Sequence, residues 1–302
     1  MLFSVIVPTH NRLHLLKRTI ESLLKQTFKD FEIIVVDDES TDGTAKYLAD
    51  LEKNGHVIPI LQTNKGPAVA RNVGIRRAAG KYIAFTDDDC VVPSDWLEKL
   101  HAHFKIGKIA GVGGSARTGD PSNLYAVAND MIVNFLKSEL NELYQFNPPF
   151  LTSNNTAYLK LSLESVGGFD EGYFIGAEER DLNYRLFLKG ERLTYDPAII
   201  VEHHNDSNFK KFLIHQFDQG KGSRRFYTNI LREHGRKPEM IPRGVYRKMF
   251  SHPFKVEPFG RAIRLFFLFG FAQMAITAGY IYAALTGRKS HAGNPSMHDS
   301  RK

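Results

Sequence analysis

At 302 residues and 42% hydrophobic content, the chain can bury a sizeable core, as one large or two small domains. Its single cysteine, Cys90, excludes a disulfide framework and a cysteine-based zinc site. The net charge of +7 is unevenly spread, with 14 Lys/Arg against 4 Asp/Glu between Asn208 and Arg264 and a net acidic stretch before it. That asymmetry suits an anionic membrane surface or a phosphate-bearing acceptor, and no nucleic-acid partner is expected.

The segment Met1–Pro8 reads as a strand with no basic n-region, so no signal peptide is expected. Apolar, β-branched runs predict strands at 3–8, 31–36, 57–62 and 81–86. Helical spacing of Leu13, Leu16, Ile20 and Leu23 predicts a helix after the first strand. A second helix is expected from about Thr41 to Leu51 with Ser40 as N-cap, and a third from Pro67 to just before Gly80. Alternation of this kind argues a parallel sheet with helices on both faces, and such sheets bind ligands beyond the carboxyl ends of their strands. Residues 109–175 read as looser, with Gly111–Gly114 marking a turn or close backbone approach and turns at Ser153–Thr156 and Gly167–Asp170. The 22 residues from Leu265 to Thr286 carry no formal charge. As a helix they reach about 33 Å, enough to span or embed in a bilayer core, with a buried or interfacial helical hairpin as the alternative.

Two acid clusters close strands, Asp37-Asp38 and Asp87-Asp88-Asp89. Repelling carboxylates at a strand end suit a hard divalent ion, Mg²⁺ or Mn²⁺, that bridges to a diphosphate; a solvated turn is the plainer alternative. Asp38 also suits turn and capping chemistry. Around Glu178-Glu179-Arg180-Asp181, a helix puts Glu178, Asp181 and Arg185 on one face and Glu179 a step aside in the first turn, where a carboxylate can serve as general base. An acidic helix start favoured by the macrodipole competes with that reading. Of the adjacent His203 and His204, at most one should reach a ligand, because neighbours on a strand face opposite ways. Gly220–Arg225 offers backbone N–H groups and the Arg224 and Arg225 guanidinium forks for phosphate.

Taken in order, Val5–Arg12, Val35–Thr44, Gly66–Gly74, the Asp-x-Asp of Asp87 and Asp89, Gly167–Asp170 and Glu178–Leu182 resemble the family 2 glycosyltransferases over about residues 1–205. The resemblance implies an α/β fold: a single Rossmann-like nucleotide-diphosphosugar transferase domain with a mostly parallel sheet. Residues 1–205 would form the catalytic domain (nucleotide-binding half about 1–110, acceptor half about 111–205). A basic, helical, membrane-associated extension would occupy 206–302. It implies inverting transfer to a hydroxyl acceptor, such as a lipid-linked glycan, in cell-surface polysaccharide or glycolipid synthesis. The donor would be a nucleotide diphosphosugar, a UDP-sugar foremost, and the place the cytoplasmic face of the membrane. By the family pattern Pro8, Thr9, Asn11, Arg12, Asp38, Asn64, Arg71, Asp87 and Asp88 would line the donor pocket. Asp89, with Asp87 and His203, would hold Mn²⁺ or Mg²⁺. Glu179 takes the base position, but Glu-Glu stands where the family has Glu-Asp, so the division between Glu178 and Glu179 stays open. Asn155, Asp181, Arg224 and Arg225 fall on the acceptor or phosphate side. The alternatives are a nucleotidyltransferase, though its Gly-rich phosphate loop is missing after the first strand, or a non-catalytic nucleotide-sugar-binding subunit.

Overall fold

The computed structural model describes residues 1–143, 148–173, 176–205, 207–235 and 241–290. Strands β1 (Phe3–Thr9), β2 (Phe31–Asp38), β3 (Ile58–Gln62), β4 (Tyr82–Phe85), β5 (Cys90–Val91), β6 (Gly111–Thr118), β7 (Thr156–Leu159) and β8 (Leu193–His203) form one sheet in the order β3-β2-β1-β4-β7-β6-β8-β5. The helices of the sheet-forming part are α1 (Leu13–Leu24), α2 (Thr44–Lys53), α3 (Pro67–Arg77), α4 (Trp96–Ile106), α5 (Leu124–Ser138), α6 (Lys160–Ser165) and α7 (Glu178–Leu188). Beyond β8 lie α8 (Phe209–His234), α9 (Arg243–Ser251), α10 (Pro253–Val256) and α11 (Phe259–Ser290).

Alternation along β1 shows why the sheet is covered on both faces. Phe3, Val5 and Val7 join Leu16, Ile20 and Trp96 in one core, whereas Ile6 joins Ile34, Ala68, Phe169 and Leu182 in the other. The four strands expected in the first hundred residues form within two residues of their expected limits. The second helix starts later than expected, at Thr44. Ser40 is not its cap: the Ser40 hydroxyl accepts the Asn11 N–H at 2.8 Å, and Asp42 instead accepts from the Thr44 N–H and hydroxyl.

The sheet is mixed rather than uniformly parallel. The β1–β2, β1–β4, β2–β3 and β6–β8 pairs are parallel, but β7 runs antiparallel to both β4 and β6, and β5 antiparallel to β8. A short 3₁₀ turn at Ser153–Asn155 feeds β7 in from the opposite end. The Gly111–Gly114 run lies within β6, and at Gly114 a Cβ would collide with the Ile199 carbonyl of the neighbouring strand. Gly220–Arg225 is corrected from a phosphate loop to the interior of α8, where the backbone N–H groups belong to the helix ladder. A further core joins α5, α8, α9 and α11 through Phe135, Phe212, Val245, Met249 and Phe269. The apolar helix is longer than the expected 265–286 stretch, running from Phe259 to Ser290.

Candidate active site

Three parallel strands bring the two strand-end acid clusters together. In register, Thr9 of β1 stands opposite Asp37 of β2, and β4 ends beside them. Beyond Pro8, the Thr9 hydroxyl donates to Asp88 at 2.8 Å. Asn11 turns the chain in the left-handed region (φ 53) and accepts the Thr41 N–H at 2.8 Å, which ties the β1–α1 loop to the β2–α2 loop. From that loop the Arg12 guanidinium reaches Asp88 at 3.2 Å and Asp89 at 3.0 Å. The Asp38 carboxylate accepts from Gln62 Nε2 at 2.7 Å and from the Lys65 and Gly66 N–H groups at 2.9 and 2.8 Å. These three bonds fix the β3–α3 loop against the end of β2. Asn64, exposed on the same loop, donates its N–H to Glu39 at 3.1 Å.

Asp89 is buried at the centre of a second group. Its Oδ1 lies 3.4 Å from His203 Nε2, and His203 Nδ1 lies 3.0 Å from Asp130 Oδ1 on α5. Ligand atoms of Asp89, Cys90 and His203 converge within 4.8 Å. Burial opposes the charge on Asp89, but His203 and Arg12 outweigh it and hold the carboxyl well below the usual range. His203 is correspondingly raised by Asp89 and Asp130 against its own burial. Asp88 is pushed up to about 6 by burial, reinforced by Asp89 against the pull of Arg12. The Asp89 carboxylate and the His203 imidazole are donors that suit a divalent ion, and Asp130 on the other ring nitrogen fixes the imidazole's orientation. Burial pushes the Cys90 thiol well above its ordinary value, which leaves it a poor ligand for Mn²⁺ or Mg²⁺. Asp87 is not in this cluster; it accepts from Arg71 Nη2 at 2.9 Å.

Arg71 joins the donor side to α7, since its other terminal nitrogen reaches Glu178 at 3.2 Å. All of Arg71 but 4% is buried, so the guanidinium is committed to these two carboxylates. Gly176 and Ala177 both have positive φ (86 and 66) and turn the chain sharply into α7. The two glutamates therefore diverge. Burial and the neighbouring Glu179 push Glu178 up to about 7. Glu179 is half-buried and accepts from the Ser153 hydroxyl at 2.8 Å and the Ser153 N–H at 3.3 Å.

The remaining expected residues lie apart from this group. Asn155 is fully buried, accepts the Trp96 indole N–H at 2.8 Å and donates to the Ser115 and Ile199 carbonyls. Asp181 accepts from Arg185 Nε at 2.7 Å, and both line a cavity of about 370 Å³ with Asp170 and Arg225. Arg225 is paired with Asp170 at 2.9 Å, and Arg224 lies over the Tyr280 ring. His204 turns away from Asp89 and lies 3.2 Å from Arg18.

Sequence reasoning missed Asp130, Lys137, Ser153 and His215. Asp130, Asn134 and Lys137 recur at helical spacing as a polar stripe on an otherwise apolar segment, a signal that was available. His215 sits on α8, where Glu179 and His203 both act on it and burial lowers its pKa; it has no local signal. Lys137 is fully buried, donates to the Gly114 carbonyl at 2.9 Å, and is lowered by burial to about 8. A lysine with a depressed folded value loses stability as the pH falls toward that value, because the unfolded chain binds the proton first. Relative to Lys137→Met, the native chain should therefore weaken by about 3 kcal/mol between pH ~10.5 and pH ~8 and stay level below. Urea midpoints of the two chains across that range measure the difference.

The sequence profile of glycosyl transferase family 2 matches residues 4–167, more than half of the chain. An uncharacterized glycosyltransferase of Rickettsia felis is 44% identical over 95 residues, which are 32% of this chain and 16% of that protein. The pre-mycofactocin glycosyltransferase of Mycobacterium tuberculosis is 30% identical over 227 residues, 70% of this chain and 44% of the other. The chain thus spans less than half the length of both relatives. In fold it is similar to a mannosyltransferase from Pyrobaculum calidifontis, solved with GDP-Man and Mn²⁺, at a TM-score of 0.61 and 18% identity over 95% of this chain and 86% of that one. The fold is a mixed, mostly parallel α/β sheet of the Rossmann-like kind, with acids gathered at its strand ends. The chain belongs to glycosyl transferase family 2. The nucleotidyltransferase alternative falls with that assignment.

Proposed function

We propose that the protein moves a sugar from a nucleotide diphosphosugar to an acceptor hydroxyl with inversion, dependent on Mn²⁺ or Mg²⁺, at the cytoplasmic face of a membrane. The observation that carries this reading is the buried Arg71 bridge, which brings Asp87, beside Asp88 and Asp89, to Glu178, beside Glu179. Donor and base sides then share one crevice. The nucleotide lies against Pro8, Thr9 and Asn11, with Asp38 and Asn64 lining its base and ribose side. Asp89 and His203 would hold the metal, with Asp130 orienting His203. When bound, the ion neutralises charge on the departing diphosphate. Arg12, half exposed beside Asp88 and Asp89, is placed to meet the same phosphates.

Glu179 is the base. Glu178 is pinned to Arg71, whereas Glu179 is oriented by Ser153 yet still reachable. It takes the acceptor proton as the oxygen attacks the anomeric carbon opposite the leaving diphosphate; a single displacement of this kind inverts that carbon. The mannosyltransferase solved with GDP-Man and Mn²⁺ supports a sugar-nucleotide donor and a metal. The family assignment makes a non-catalytic role the weaker reading.

A thermal-shift panel of nucleotide diphosphosugars with and without Mn²⁺ tests the donor site. The matching donor should raise the melting temperature by several degrees, and only with the metal, because ligand that binds the folded state alone stabilises it. No metal-dependent shift with any donor would overturn the reading.

A further inference from the structure

The long apolar helix α11 does not stand free. Along one side Leu265, Phe269 and Ala272 are buried against α5, α8 and α9. Further on, α8 and α11 touch backbone to backbone: a Cβ at Gly220 would collide with the Ile276 carbonyl, and one at Gly279 with the Phe217 carbonyl. Phe217–Tyr282 and Phe209–Phe271 ring contacts, each 5.6 Å between centroids, extend the attachment. Contact with the rest of the protein thus runs from Ala262 to Tyr282, about 30 Å of helix.

The opposite side is apolar and uncovered. Phe259, Ile263, Phe267, Met274 and Ile281 recur at four- and seven-residue steps, with Phe271 at their border beside Phe209 of α8, and all six are 38–74% exposed. Phe254, 43% exposed, extends the stripe through its ring contact with Phe266 at 5.9 Å. A patch of this length is far beyond what a soluble surface normally carries. Its border is basic: Lys210, Lys255 and Arg264 are exposed beside Phe209, Phe254 and Phe267, and α11 contains no Asp or Glu. Two copies joined through this face would bring like charges together, whereas an anionic lipid surface meets both the stripe and its border.

We infer that α11 lies in the plane of an anionic membrane with its Phe259–Ile281 stripe in the headgroup–acyl boundary, held there by α8, and does not cross the bilayer. Crossing would tear α11 from α8, whose Asp218, Lys221, Arg224 and Arg225 cannot follow it into hydrocarbon. The inference deepens the membrane placement proposed above and is independent of the transfer chemistry.

The test uses the full chain. In flotation with phosphatidylcholine–phosphatidylglycerol vesicles, the native protein should float, and more weakly at high salt. Phe267→Asp with Phe271→Asp should lower vesicle affinity at least about tenfold, and Lys255→Glu with Arg264→Glu should lower it on anionic vesicles alone. The Mn²⁺-dependent donor shift should persist in both, which separates loss of docking from loss of fold or of the donor site. For topology, Gly260→Cys and Thr286→Cys are each labelled with an impermeant maleimide in oriented membrane vesicles from expressing cells; native Cys90 is buried. Labelling of both from the same side supports the inference. Labelling from opposite sides, undiminished vesicle binding by the Asp variant, or a soluble dimer that ignores vesicles would overturn it.

Discussion

Glu179→Gln should leave donor affinity within about twofold of the native protein while transfer falls by about 10²–10⁴-fold, the usual contribution of a positioned general base. The amide keeps an oxygen for the Ser153 hydroxyl and N–H, so the start of α7 has no reason to move. What disappears is the capacity to take a proton. Glu178→Gln is the informative companion. Glu178 is raised to about 7 and shares Arg71 with Asp87, so neutralising it should alter kcat by less than about tenfold. Single-turnover transfer and nucleoside diphosphate titration, run on both variants, separate chemistry from binding. A Glu179→Gln protein that transfers at the native rate would move the base elsewhere, and a collapse confined to Glu178→Gln would exchange the two roles.

Asp89→Asn should abolish the Mn²⁺-dependent part of donor binding and turnover. It should also destabilise the fold by about 3–5 kcal/mol, since it leaves the His203 and Arg12 charges short of their shared partner. The depressed Asp89 value sets the sign of the pH dependence. Its contribution is present at neutral pH and fades as the pH falls through the folded value, so the gap between native and variant chains should narrow in acid. Calorimetric Mn²⁺ titration reads the first effect and urea midpoints at several pH values the second. Undiminished Mn²⁺ affinity in Asp89→Asn would remove Asp89 from the metal.

The nucleotide half was legible because its signals are local. β1, β2 and β4 are apolar runs, the last two leading into acids, and Pro67 opens α3 where a first-turn proline should stand. Ser40 misled because a serine before a helical pattern looks like a cap, whereas tertiary contact with Asn11 claims its hydroxyl. The reversal at β7 was not legible: four residues, Thr156–Leu159, carry no mark of strand direction. Nor was the place of His215, which meets the site only because α8 folds back over Gly176 and Ala177. The basic Gly220–Arg225 run misled in another way, since its glycines answer to helix packing rather than to phosphate. Glu178 and Glu179 could not be told apart from their neighbours in the chain; Arg71 and Ser153, each far away in sequence, divide them.

The reversed strand β7 carries an evolutionary consequence. It is a seam: on the function proposed above, the chain on its N-terminal side would grip the nucleotide, and most of the chain on its C-terminal side would face whatever receives the sugar. The parallel register of β1, β2 and β4 does not depend on loop lengths beyond the seam. A lineage is therefore free to trade recipients while inheriting one grip on the nucleotide. A chimera that borrows the portion after β7 from a relative should keep this protein's nucleotide preference and adopt the relative's recipient.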